Sequence, residues 1–84
     1  EKIELLMLKG MREKLAAFLL SEFQKAGSIT FRILPNRNEL AEYLNVSRPS
    51  MSRELARMKE EGLIDYYQNS FRILKVEELK KSLQ

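Results

Sequence analysis

Residues 36–62, NRNELAEYLNVSRPSMSRELARMKEEG, read as two helices and the break between them. Asn36 is placed to cap the first. Its side-chain oxygen can accept from the N–H three residues on, and Glu39 at that place can return a bond to the Asn36 N–H. Leu40, Ala41 and Leu44 then share one apolar face. Asn45 tolerates the left-handed conformation that ends a helix. Ser47 can cap the second helix, and Pro49 suits its first turn, where an absent N–H leaves no intrahelical bond unmade. Met51, Leu55 and Met58 stand at i, i+4 and i+7, one buried stripe of a longer helix, and Gly62 supplies the stop.

The other side of that longer helix carries Arg48, Ser52, Arg53, Ala56, Arg57 and Lys59. Two helices joined by a turn of about three residues, the second basic on its outer face, form a helix-turn-helix pattern. A helix lying in the major groove needs groups that reach phosphates and groups that reach base edges. Arg48 and Arg53 can each present a forked guanidinium to guanine O6 and N7. Ser52 lies between them, and Pro49 offers only apolar contact, for instance to a thymine methyl. Arg57 and Lys59 read as solvated charges or partners of acids at i−4 and i+4.

On the amino-terminal side, Met11, Leu15, Phe18 or Leu19, and Phe23 mark an amphipathic helix, with Lys9, Arg12, Glu13, Glu22 and Lys25 outside and Gly27 closing it. Residues 1–8 are apolar nearly all round, and Gly10 interrupts that run. Ser28 to Leu34 alternates Ile29, Phe31 and Ile33 against Thr30 and Arg32, a strand that Pro35 ends. On the carboxy-terminal side, Leu63 to Tyr67 and Phe71 to Leu74 form two strands around Gln68, Asn69 and Ser70. Ile64, Tyr66, Phe71 and Ile73 face inward, and Asp65, Tyr67 and Arg72 outward. Val76, Leu79 and Leu83 predict a closing helix turn or two with no evident cap. The whole is an α+β winged helix-turn-helix, mainly helical, with a small antiparallel sheet.

Composition narrows the chemistry. The chain has 84 residues, room for one small domain. It contains no cysteine and no histidine, so it lacks thiolate ligands and the usual neutral-pH base. Glu60-Glu61 and Glu77-Glu78 are adjacent pairs that diverge on a helix, poor material for a paired-carboxylate site. With no nucleophile–base pair or metal cluster in view, an enzyme is not expected. Net charge is +3 and the sequence pI near 9.3, a mild bias toward anionic partners. The longest apolar run, Leu15 to Leu20, is far short of the ~20 residues that span a bilayer. A cytoplasmic protein without membrane contact is expected.

The run from Asn36 to Leu44, with Ser47-Arg48, Ser52-Arg53-Glu54-Leu55 and Glu61-Gly62-Leu63-Ile64, resembles the DNA-binding module of Crp/Fnr-type bacterial transcription regulators. That resemblance implies sequence-specific binding of a double-stranded operator, with a recognition helix over about 48–61 in the major groove. Arg48, Pro49, Ser52 and Arg53 match its base-reading positions. Asn36, Arg37, Asn38, Ser47, Ser50 and Tyr67 match phosphate-contacting ones. Family members commonly carry glutamate where this chain has Pro49, which cannot accept from cytosine N4, so the family's middle base is not carried over to this chain. The module is C-terminal in that family, following an effector-sensing β-roll and a dimerisation helix. Residues 1–10 would then be the end of that helix and the hinge, and 11–84 the DNA-binding domain. No cofactor is expected in this segment, since an effector would bind the preceding domain. Homodimerisation in the full-length protein and contact with RNA polymerase are further implications. A winged helix used for protein docking through Leu5 to Leu8 is the alternative reading.

Overall fold

The computed structural model describes residues 10–83. The expectations that rest on residues 1–9, a dimerisation-helix tail and a docking contact through Leu5 to Leu8, lie outside the described residues. Helix α1 spans Met11–Ala26, strand β1 Thr30–Arg32, helix α2 Arg37–Leu44 and helix α3 Arg48–Glu60. Strands β2 (Ile64–Tyr67) and β3 (Ser70–Ile73) and helix α4 (Val76–Lys81) follow.

The helix ends obey the caps written in the sequence. The Asn36 side chain accepts from the Glu39 N–H at 2.8 Å, and the Glu39 carboxylate accepts from the Asn36 N–H at 3.0 Å. Asn45 ends α2 at φ 59°, left-handed as expected. Ser47 Oγ accepts from the Ser50 N–H at 3.3 Å, with Pro49 in the first turn of α3. Glu61 closes α3, and Gly62 turns the chain away at φ +79°, a conformation glycine adopts without strain. Gly10 sits ahead of α1 in an extended conformation, its N–H donating to the Glu13 carboxylate at 2.8 Å.

The three strands pair antiparallel in the order β1-β3-β2. Register sets Phe31 opposite Phe71, and Phe71 opposite Tyr66. Strand β1 is shorter than residues 28–34. Its start is bent by Thr30, whose N–H donates to Ser28 Oγ, and Ile29 lies beyond the core edge at 46% exposure. Single backbone bonds carry the pairing one residue further at each end in the same register, Ile73 N–H to the Ile29 carbonyl and Ile33 N–H to the Asn69 carbonyl, each at 2.9 Å. Because Tyr67 pairs with Ser70, the wing turn holds two residues, Gln68 and Asn69, rather than the three expected. Gln68 takes φ 55°, which costs a non-glycine residue about 1 kcal/mol.

Among the described residues, all four helices and the inner face of the sheet bury side chains in one core. Leu15 and Leu19 of α1, Leu40 and Leu44 of α2, and Met51, Leu55 and Met58 of α3 meet Ile64, Phe71 and Ile73. Burial of each such side chain contributes about 1.5–3 kcal/mol. Helix α4 has no side-chain cap, yet Leu79 is fully buried and fastens it against α1. Among the described residues no helix is long and apolar enough to cross a membrane.

Candidate nucleic-acid interface

Helix α3 divides cleanly into faces. Met51, Leu55 and Met58 are buried, whereas Arg48, Pro49, Ser52, Arg53, Ala56 and Arg57 are exposed. The guanidinium groups of Arg48 and Arg53 therefore stand on open surface at the amino-terminal half of α3. Arg48 Nη1 donates to Asn38 Oδ1 at 3.0 Å, tying α3 to the start of α2. Arg53 Nη2 donates to Ser50 Oγ at 3.2 Å. Both contacts are exposed and exchangeable for a ligand's acceptors. The side-chain oxygens of Asn36 and Ser47 are engaged in capping, and both residues are exposed.

The wing completes the surface. Tyr67 is 76% exposed in β2, next to the turn. Arg37 is placed differently from an open phosphate contact. Its guanidinium lies 5.0 Å from the Phe71 ring centroid and 5.5 Å from that of Tyr66, and Nη2 donates to the Gln68 carbonyl at 2.9 Å. The residue thus fastens the start of α2 to the wing turn, through cation–π attraction and a hydrogen bond to the strained residue. Its Nη1 is buried and has no partner among the described residues, and desolvation lowers the guanidinium pKa from its ordinary value. Lys59 also departs from expectation. It reaches across to β2, 3.3 Å from the Asp65 carboxylate and 4.8 Å from the Tyr66 ring centroid, instead of pairing along its own helix. Arg53, Ala56, Arg57, Lys59, Glu60 and Tyr66 line an open hollow between α3 and β2.

One cluster was not legible from the sequence. Glu54 is only 8% exposed, the buried charged side chain among the described residues. Its Oε2 accepts from Arg12 Nε at 2.5 Å, and its Oε1 accepts from Arg57. Arg12, expected on the outer side of α1, also forks onto Glu61, Nη1 to Oε1 at 2.7 Å and Nη2 to Oε2 at 2.9 Å. Half of the signal was present: Glu54 follows Met51 by three residues and precedes Glu61 by seven, an acid inside a buried stripe, which demands a cation. The sequence could not say which cation, because Arg12 is 42 residues away.

Two carboxylates are held below their ordinary range. Glu61 is lowered first by its hydrogen bonds from Arg12, and Asp65 first by the Tyr66 N–H and then by Lys59. A carboxylate depressed in the fold contributes stability that is present at neutral pH and lost as pH falls through the carboxylate range. With no histidine in the chain, urea midpoints should stay flat between about pH 6 and pH 8 and fall between about pH 5 and pH 3. A midpoint unchanged down to about pH 3 would contradict this. Among the described residues no group of three or more acids, histidines or cysteines could hold a metal ion.

A helix-turn-helix with an exposed, arginine-bearing second helix and a wing beside it defines the fold as a winged helix-turn-helix. The chain belongs to the Crp-like helix-turn-helix domain family, whose pattern matches residues 13–82. That family supplies the DNA-binding modules of bacterial Crp/Fnr transcription regulators. Among solved structures, a regulator assigned to the crp/fnr family from Eubacterium rectale superimposes with a TM-score of 0.79 at 26% identity. The match covers 93% of this chain and 35% of that one. The CO-dependent transcription factor CooA from Carboxydothermus hydrogenoformans gives 0.81 at 24% identity, over 94% and 39% of the two chains. The catabolite activator protein of Thermus thermophilus gives 0.72 at 25%, over 87% and 33%. The chain therefore spans between a third and two-fifths of the length of these neighbours. No curated protein sequence matches it.

Proposed function

We infer that this domain reads a specific double-stranded DNA site by laying the amino-terminal half of α3 in the major groove. The observation that carries this reading is the pair of exposed guanidinium groups, Arg48 and Arg53, on the open side of a capped helix. Arg48 and Arg53 bond to guanine O6 and N7, while Ser52 and Pro49 fill the edges between them. Asn36, Asn38, Ser47, Ser50 and Tyr67 lie along the sugar-phosphate backbone. Arg37 acts there through the wing it holds and the positive charge it adds. In the full-length cytoplasmic protein the unit is a homodimer on an inverted repeat with half-sites ~34 Å apart. RNA polymerase is a further partner of that assembly.

Phosphate contacts make the affinity depend on salt. If about four phosphates are neutralised, binding of the chain to a labelled mixed-sequence duplex should weaken by roughly 10² between ~50 and ~200 mM salt. Fluorescence anisotropy reads this directly. Binding that is absent, or unchanged over that range, would overturn the reading and favour a protein-docking winged helix.

A further inference from the structure

We propose that Glu54, together with Arg12, is a positioning residue that sets how α3 faces the duplex. The inference rests on the DNA-reading role of α3 argued above. Base readout depends on the roll and axial position of the helix that carries Arg48 and Arg53, because each guanidinium must meet a base edge in the plane of its fork. The apolar stripe fixes that pose loosely, since methionine, which supplies two of its three members, is flexible packing material. The Arg12 guanidinium fixes it tightly. It is gripped by Glu54 at 2.5 Å and by Glu61 at 2.7 and 2.9 Å. These two acids stand seven residues apart on one side of α3, roughly 10 Å along its axis. Both carboxylates converge on the one guanidinium of α1, so rolling or sliding α3 must break at least one of these bonds. Glu54 directly follows Arg53 in the chain, so a change of roll at one is a change of aim at the other.

Where it is buried, at the Glu54 carboxylate, the same cluster is a costly device for stability alone. A buried ion pair gives back much of its attraction as desolvation, and an apolar pair of similar size holds a fold as well or better. That contrast supplies the test. A duplex is first selected by the wild-type chain from a random pool, and a scrambled duplex of the same composition serves as reference. Affinities for both are then measured for Glu54→Gln and for the charge-neutral double variant Arg12→Met/Glu54→Met, with melting curves to confirm folding. The affinity ratio, selected over scrambled, should drop by about tenfold or more in both variants, with scrambled-duplex binding by the double variant nearly unchanged. A folded double variant with the wild-type ratio would overturn the proposal, and so would equal weakening on both duplexes. Should Glu54→Gln fail to fold, the double variant decides. If the wild-type chain itself selects no duplex, the DNA-reading role falls, and this proposal with it.

Discussion

Phe71→Ala should destabilise the domain by about 3–5 kcal/mol. Phe71 is 1% exposed in the central strand, with Phe31 opposite on one side and Tyr66 on the other. Its ring lies 5.4 Å from that of Tyr66, and the Arg37 guanidinium stands 5.0 Å away. Truncation therefore opens a cavity where both sheet edges and α2 converge. An 84-residue domain has a total stability of only about 4–13 kcal/mol, so the loss removes a large share of it. The melting temperature should fall by more than about 12 °C, read by circular dichroism. Leu34→Ala, at a site 96% exposed, is the control and should change stability by less than ~0.5 kcal/mol. A Phe71 variant that melts with wild type would mean that the sheet is not anchored as described.

Arg53→Ala should have the largest effect on recognition without harming the fold. The side chain is exposed and, among the described residues, donates only to Ser50 Oγ, so stability should change by less than ~0.5 kcal/mol. A forked contact to guanine is worth about 1–3 kcal/mol, so affinity for the selected duplex should fall by roughly 5- to 150-fold. Discrimination should be lost at one base pair and kept at the others. Arg37→Ala provides the contrast. Removing it frees the wing turn and two ring faces, which should weaken binding to every duplex alike. A uniform loss for Arg53→Ala would strip it of its base-reading role.

What the sequence revealed was local. Asn36 with Glu39, Asn45, and Ser47 with Pro49 mark helix ends through bonds spanning three or four residues, and each end lies where these residues place it. The alternation in 71–73 likewise located a strand with Phe71 and Ile73 inward. What it hid was long-range. Ile29 belongs by pattern with Phe31 and Ile33, but the core ends before it, and only the packed fold defines that edge. Arg37 and Lys59 read as surface charges until the wing returns beside them with Tyr66. Arg12 and Glu54 give no sign of each other across 42 residues, so the cluster that steadies α3 appears only in three dimensions.

Chemical interference on the selected duplex puts the account at greatest risk. Methylating guanine N7 blocks the acceptor that an arginine fork requires in the major groove. Single N7-methylated guanines should abolish binding at the positions read by Arg48 and Arg53, and one of those effects should vanish in Arg53→Ala. Selected duplexes that bind normally with every guanine methylated at N7 would show that α3 does not read base edges.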